Sequence, residues 1–281
     1  MLLELPTGTL RVLLNIGSNL RPLLPPPNDT SVVSIAYEPI VASQIPSRER
    51  LIVVPAAVSD ESGVMSMSIL NKNGVSSSLA SKHKYPSNLI LGGAQRSVAV
   101  PVVTMSSVLG SIREGVAIWY LKTDMQGFDA RALAASGSVL RRVHYVTAET
   151  YLLGVASYDG VANDFCRDLL PRMLEQSFIP LGLRGGRARW QLGPKDREFW
   201  QLCDTQLSHT KSNVTESWLF RSGGAVAAHA YCKRERLILA AVSSAAYAHR
   251  AVKESDAFFK APSTKLPMPA GMLHEIHRVH R

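Results

Sequence analysis

A glycine turn and a downstream acid are the first residues whose spacing could bind a ligand. The apolar run 10–16 leads into Gly17, flanked by Asn15 and Asn19, and Glu38 follows about 20 residues later at the end of a second apolar run. In α/β folds such a glycine lets the backbone approach a nucleoside, and the acid accepts hydrogen bonds from ribose hydroxyls. The spacing indicates a nucleoside site, although a tight turn and a solvated glutamate would give the same pattern.

The residues after Gly17 discriminate between nucleoside ligands. A dinucleotide site needs Gly-x-Gly-x-x-Gly running into a helix whose N-terminus holds the pyrophosphate. Here Gly17 is alone, and Pro22 and the prolines at 25–27 forbid a regular helix, because proline lacks an N–H and clashes with the preceding turn. The pattern therefore counts against NAD more than against S-adenosylmethionine, which has no phosphates to be held.

A second candidate group lies at the end of the apolar run 117–123. Asp124 follows this run directly, and the alternation of side chains along a strand places Lys122 and Asp124 on the same side. A carboxylate at the carboxyl end of a parallel strand can orient an acceptor hydroxyl or take its proton. The alternative is an ion pair between Lys122 and Asp124 without a catalytic role.

Cysteines and histidines do not predict a metal site. Cys166, Cys203 and Cys232 are odd in number and widely spaced, so they predict neither a disulfide framework nor a Cys-x-x-Cys metal site and favour a reducing compartment. Three histidines recur every third residue from His274, but they lie in an isolated C-terminal segment.

Charge and hydropathy bear on partners and location. The 31 Lys and Arg exceed the 22 Asp and Glu by nine, but they are scattered, so no nucleic-acid partner is expected. The first residues lack the basic and apolar regions of a signal peptide. The most apolar late stretch, 237–248, is shorter than the about 20 residues that span a membrane. We expect no membrane span and, by default, a cytoplasmic location; the oligomeric state is open.

Short apolar runs alternate with helical patterns over the first two thirds of the chain, which is typical of a parallel sheet with crossover helices. Predicted strands cover 10–16, 32–37, 51–54, 98–103, 117–123, 143–148, 178–183 and 224–231, with a polar loop before residue 98. Predicted helices cover 105–113, 130–135, a stretch capped by Asn163 or Asp164 and kinked at Pro171, and 233–257. The predicted domain spans residues 1–240, and a C-terminal helix and flexible tail span 241–281.

Six short motifs occur in a fixed order along the chain. They are Leu-Leu-Asn-Ile-Gly-Ser-Asn from residue 13, Ala-Tyr-Glu-Pro from 36, Val-Pro-Ala-Ala-Val-Ser-Asp from 54, Gly-Val-Ser-Ser-Ser-Leu from 74, Leu-Lys-Thr-Asp-Met-Gln-Gly-Phe-Asp from 121, and Thr-Ala-Glu from 147. In this order they resemble the FkbM family of S-adenosylmethionine-dependent methyltransferases, over roughly residues 10–183.

The resemblance implies a class I methyltransferase fold of the Rossmann-like type. Such a fold has a mostly parallel seven-stranded sheet with helices on both faces and a final antiparallel strand. The implied reaction is methyl transfer from S-adenosylmethionine to an oxygen of a small molecule or sugar. By this resemblance Asp124, with Lys122 beside it, would face the methyl group and the acceptor.

The resemblance also assigns the cofactor-binding residues. Asn15, Gly17 and Asn19 would line the methionine end of S-adenosylmethionine. Glu38 would hold the ribose, and Asp60 would approach the adenine.

Three positions depart from the family pattern. Asn15 stands where the family usually has Asp, Arg21 stands near the place of a second glycine, and Asp129 replaces a commoner Glu. Asn keeps a hydrogen bond but loses a charge, and a neutral bond contributes about 0.5 to 1.5 kcal/mol against about 1.5 to 3 for a charged one. An alternative function is therefore a catalytically silent methyltransferase-like binding or scaffold module.

Overall fold

The computed structural model describes residues 2–69, 77–79, 96–151, 161–185 and 254–260. These residues form a main sheet and a smaller second sheet. The strands of the main sheet are, in order across it, β10 (Ile179–Gly185), β11 (Glu254–Lys260), β9 (Val143–Tyr151), β8 (Ala117–Thr123), β1 (Arg11–Ile16), β2 (Val32–Tyr37) and β3 (Leu51–Val54).

Most of the main sheet is parallel. The neighbours β9, β8, β1, β2 and β3 all run in one direction. Strand β11 runs antiparallel to both of its neighbours, β9 and β10. Because β1 lies between β2 and β8, the strand order reverses direction at β1, and in open α/β sheets ligands bind at such a reversal. The prediction of an α/β fold with a mostly parallel sheet is confirmed.

Burial of β1 on both faces explains its continuous apolar sequence. On one face, Leu14 and Ile16 belong to a core shared with three helices, α1 (Met105–Gly110), α2 (Asp129–Ala135) and α3 (Leu170–Glu175). On the other face, Leu13 packs in a second cluster with Leu23 and Trp119. The described helices therefore cover one face of the sheet, and helices on both faces stay a prediction.

The proline-rich segment between β1 and β2 contains no helix, as its prolines predict. The guanidinium of Arg50 donates to the carbonyl oxygens of Pro26 (3.2 Å) and Val32 (3.3 Å) and also to that of Asp29. Arg11 forms an ion pair with Asp29 at 2.6 Å. The segment forms no helix, and Arg50 supplies hydrogen-bond donors to its backbone carbonyls instead.

The second sheet was not predicted from the sequence. It holds β4 (Ala57–Ser59), β7 (Arg96–Thr104), β5 (Gly63–Ile69) and β6 (Ser77–Ser78), in that order. The predicted strand 98–103 is part of β7, which pairs with β4 and β5 and not with the main sheet. Strands β4, β5 and β6 were missed, because their small and polar residues resemble a loop.

The helix expected after Asn163 forms with a change of helical type. The side chain of Asp164 accepts a hydrogen bond from the Arg167 backbone N–H and caps a π-helical turn, Phe165–Leu169. Pro171 lies in the first turn of α3, where its missing N–H is tolerated. Within the turn, Cys166 is disulfide-bonded.

Strand β11 differs from the prediction for the C-terminal part of the chain. Residues 254–257, predicted to be helical, pair with β9 and β10 as a strand. Residues 254–260 thus belong to the main sheet although they lie beyond residue 240, where we expected the domain to end. The predicted strand 224–231, most of the predicted helix 233–257 and the tail 261–281 lie outside the described residues. In the described part of the chain, no helix is long and apolar enough to cross a membrane.

Candidate functional site

An open cleft lies at the carboxyl ends of β1, β2 and β8, beside the point where the strand order reverses. Its cavity volume is about 120 Å³, and it is open to solvent. Its polar side is lined by residues that follow directly on the three strands: Gly17, Asn19, Glu38, Asp124, Met125 and Gln126. The cleft therefore brings together most of the site residues that the sequence predicts.

Gly17 allows β1 and β8 to approach each other at the base of the cleft. Its φ is +71°, and a Cβ added to it would lie 2.0 Å from the backbone oxygen of Asp124. The Asp124 N–H donates to the Ile16 carbonyl at 3.0 Å, and the Gly17 N–H donates to the Tyr37 carbonyl at 2.9 Å. Only glycine combines this conformation with so close a contact, so its presence is a requirement of the site's geometry.

Glu38 joins the loops that follow β1 and β2. One carboxylate oxygen accepts from the Asn19 backbone N–H at 2.7 Å. The other accepts from the N–H groups of Ile40 at 2.9 Å and Val41 at 3.2 Å. The side chain is buried but lines the cleft. Because each carboxylate oxygen has two acceptor positions, Glu38 can hold these loops and still accept from a ligand hydroxyl.

Asp124 belongs to a polar network at the ends of β8 and β9. Its carboxylate lies 3.6 Å from the Lys122 ammonium and accepts from the Gln126 side-chain amide at 3.0 Å. The same amide donates to the buried Glu149 carboxylate at 3.2 Å. The structure therefore confirms that Lys122 and Asp124 share a side of the strand. It also identifies Gln126 as the bridge between the two carboxylates.

Asp129 lies beneath this network with no exposed surface. It is the first residue of α2, and its carboxylate accepts from the Met125 backbone N–H at 3.2 Å. Burial, together with the nearby charge of Asp124, raises the pKa of Asp129 to about 7. Asp129 therefore gains or loses a proton near neutral pH, unlike an ordinary carboxyl group.

The second sheet supplies an apolar wall to the cleft. This wall is formed by Ala56, Ala57, Val58, Met67 and Leu79. Sequence reasoning did not find these residues, because the strands that carry them were assigned to a polar loop. The alternation of Met and Ser in β5 was the available signal, since it is typical of a strand with one buried face.

Two predicted cofactor residues do not line the cleft. Asn15 is fully buried, and its side-chain oxygen accepts from the Leu23 backbone N–H at 3.0 Å. Its side-chain nitrogen has no hydrogen-bond partner among the described residues. Asp60 forms an ion pair with Arg131 at 2.6 Å. Burial acts to raise the pKa of Asp60, but hydrogen bonds from Arg131 and Ser59 outweigh it and lower that pKa.

Comparisons with known proteins do not supply a function. No family model matches the chain, and neither a curated protein nor a solved structure matches it. Among the described residues, no group of three His, Cys, Asp or Glu side chains could hold a metal ion; His274 and its neighbours lie outside them. The function has to be argued from the cleft itself.

Replacing Asp129 by Asn tests its unusual proton affinity. The folded-state pKa of about 7 lies above the value of about 4 expected in the unfolded chain, so the folded state binds the additional proton between these values. The contribution of Asp129 to stability is therefore complete below pH about 4 and is lost as the pH rises through about 7.

The measurement is the free energy of unfolding in urea, from pH 4 to 8, for the wild type and Asp129→Asn. The wild-type value should fall relative to that of the variant as the pH rises. Ionisable groups that do not interact with Asp129 are common to both proteins and cancel in the difference; Asp124, whose charge acts on Asp129, does not cancel in this way. A difference that does not change with pH would show that Asp129 titrates as an ordinary carboxyl group.

Proposed function

We propose that this protein is an S-adenosylmethionine-dependent methyltransferase that acts on an oxygen of a small molecule or sugar. The observation that carries the proposal is the composition of the cleft at the reversal of the strand order. Its described lining contains two carboxylates, Glu38 and Asp124, an apolar wall and no lysine or arginine. Such a lining suits a nucleoside that carries positive charge and no phosphates.

The charge of the cleft argues against other nucleoside cofactors. Phosphates in binding sites are held by lysine, arginine or the N-terminus of a helix. The described lining has no such cation, and no helix starts after β1, where a pyrophosphate would need one. The sulfonium and ammonium groups of S-adenosylmethionine are instead attracted by Glu38 and Asp124.

The parts of the cleft suit the parts of this cofactor. Glu38 would accept from a ribose hydroxyl at its remaining acceptor position, and Asn19, whose backbone N–H donates to Glu38, would adjoin the methionine end. Ala57, Val58 and Met67 of the apolar wall would contact the adenine ring, which gains free energy from burial. Asp60 was expected to contact the adenine, but it forms an ion pair with Arg131. We therefore assign the adenine contact to the apolar wall.

Asp124 is the residue that would act on the acceptor. When bound, S-adenosylmethionine supplies an electrophilic methyl group. Asp124 is about one-third exposed and lines the cleft, so it can orient an acceptor hydroxyl and take its proton. Gln126 fixes the carboxylate by donating to it, and the Lys122 ammonium lies 3.6 Å from it. Holding the acceptor oxygen near the methyl group is the larger part of the proposed catalysis.

The main sheet supports the same proposal. Among the described residues it has seven strands, of which five are parallel, and β11, the last of these along the chain, is antiparallel to its neighbours. This is the kind of sheet that the resemblance to the FkbM family implies. Sheet topology alone is compatible with many functions, so the composition of the cleft remains the stronger argument.

A silent binding or scaffold module is the second candidate. The observation that favours it is the engagement of residues expected to serve the cofactor and the acceptor. The Asn15 side chain accepts a hydrogen bond from the Leu23 N–H. Asp124 forms an ion pair with Lys122 and accepts a hydrogen bond from Gln126. In such a module the same contacts would only stabilise the carboxyl edge of the sheet.

A thermal-shift experiment tests the proposed cofactor. S-adenosylhomocysteine at 100 times its dissociation constant should stabilise the folded protein by about 2.7 kcal/mol, which raises Tm by about 5 to 10 °C. NAD at the same concentration should leave Tm unchanged, because no cation in the described lining holds its pyrophosphate. Stabilisation by NAD and not by S-adenosylhomocysteine would contradict the proposed cofactor.

Replacing Glu38 by Ala tests the ribose contact. The substitution should weaken S-adenosylhomocysteine binding by about 1.5 to 3 kcal/mol, because charge-assisted hydrogen bonds to the ribose are lost. Part of the loss will come from loosening Asn19, which Glu38 holds. Calorimetric titration of folded protein gives this number.

Glu114→Ala is the matched control, since Glu114 is exposed and precedes β8 at the opposite edge of the sheet. The Glu114→Ala variant should bind S-adenosylhomocysteine with the same affinity as the wild type. Equal affinities in Glu38→Ala and the wild type would show that Glu38 only joins the two loops.

A further inference from the structure

The turn that carries Asp124 and Gln126 into the cleft has an unusual backbone. Gln126 has a φ of +52° and Gly127 a φ of +103°. A side chain at φ near +50° is strained, so surrounding contacts must hold the residue there. The contact of Gly17 with the Asp124 oxygen fixes the start of this turn. The rest of the turn needs a second anchor.

Asp129 has the position and chemistry of that anchor. It is fully buried two residues after Gly127, and its carboxylate oxygens lie 3.2 and 3.4 Å from the Met125 backbone nitrogen. Met125 lies between the two residues whose side chains meet in the polar network. The bond is partly buried, and an N–H that loses its acceptor away from water costs free energy, so this bond favours the observed conformation of the turn.

We propose that Asp129 is a positioning residue for the cleft, which holds the turn 124–127 in the conformation that presents Asp124 and Gln126 to the ligand. This inference deepens the proposed function and rests on it for the identity of the ligand. Asp129 does not line the cleft and acts through the Met125 N–H. Both protonation states leave an oxygen that accepts from this N–H, so Asn can replace Asp in this role.

The experiment compares backbone hydrogen exchange and ligand affinity in four proteins. They are the wild type, Asp129→Ala, Asp129→Asn and, as the control, Asp29→Ala. Asp29 also accepts from a backbone N–H, that of Ser31, but it lies beside the amino ends of β1 and β2. Exchange at Met125 is measured without ligand by NMR, and affinity for S-adenosylhomocysteine is measured by calorimetry at a temperature where every variant is folded.

In the wild type, the Met125 N–H should exchange slowly. Asp129→Ala should speed this exchange at least about tenfold and weaken S-adenosylhomocysteine binding at least about fivefold, because the N–H loses its acceptor. Asp129→Asn should stay within about threefold of the wild type in both measurements, and Asp29→Ala should leave both unchanged. A purely structural role would lower Tm in Asp129→Ala without changing affinity in the folded protein.

Three results would overturn the proposal. They are rapid Met125 exchange in the wild type, wild-type exchange in Asp129→Ala, and wild-type affinity in folded Asp129→Ala. The first result needs no variant, so rapid Met125 exchange in the wild type would overturn the proposal even if Asp129→Ala does not fold. If the wild type binds no S-adenosylhomocysteine, the proposed function fails, and the exchange rates still decide whether Asp129 holds the turn.

Discussion

Gly17→Ala should destabilise the protein more than any other small substitution near the cleft. An alanine at φ +71° is strained by about 1 to 3 kcal/mol. Its Cβ would also lie 2.0 Å from the Asp124 backbone oxygen, and backbone on both sides leaves no flexible atom to move aside. Forcing the ends of β1 and β8 apart adds about 1 to 3 kcal/mol, as overpacking does elsewhere. Urea unfolding should show the sum of these two costs.

Gly115→Ala separates the close contact from the backbone strain. Gly115 has a φ of +85°, and a Cβ added there meets nothing within 4 Å. Its alanine variant carries the strain alone and should unfold at a higher urea concentration than Gly17→Ala. Only Gly17→Ala should also lose affinity for S-adenosylhomocysteine, since it displaces Asp124. Equal stability of the two variants would mean that the strands do not approach each other at Gly17.

Asp124→Asn should abolish most of the turnover while leaving the ligand bound. Asparagine has the size of aspartate and can still accept from Gln126, but it takes no proton from an acceptor hydroxyl. Removing a general base costs about 10² to 10⁴ in rate. The methyl-transfer rate with an identified acceptor should fall by this amount, while affinity for S-adenosylhomocysteine should change little.

The outcomes for Asp124→Asn distinguish the candidate functions. The silent module predicts no turnover in the wild type or the variant. A structural Lys122–Asp124 ion pair predicts equal loss of stability in Asp124→Asn and Lys122→Gln, without a kinetic defect specific to Asp124. Turnover like that of the wild type in Asp124→Asn would exclude its role as a base and leave positioning alone.

The central strands of the main sheet, β1, β2 and β8, were predictable because they are buried on both faces and read as continuous apolar runs. The predicted ranges 32–37, 51–54 and 117–123 coincide with β2, β3 and β8. The second sheet was not predictable in the same way. In it, β5 pairs with β7 about thirty residues further on, and this long-range pairing decides which residues of β5 are buried, namely Met67 and Ile69.

Some residues of the candidate site were predictable from the sequence and others were not. Gly17, Glu38 and Asp124 were predictable because each directly follows a parallel strand, and the carboxyl ends of these strands meet at one edge. Asn15 precedes the end of β1, and alternation turns it away from the cleft toward Leu23. The bridging role of Gln126 depends on its positive φ, which the sequence does not indicate for a glutamine.

The most direct test of the proposed function is isothermal titration of the folded wild-type protein with S-adenosylmethionine and S-adenosylhomocysteine. It needs no knowledge of the acceptor. We expect both ligands to bind at one site, with affinity reduced in Glu38→Ala and unchanged in Glu114→Ala. Absence of heat from both ligands at millimolar concentration, with the protein folded, would contradict the assignment of the cleft to S-adenosylmethionine.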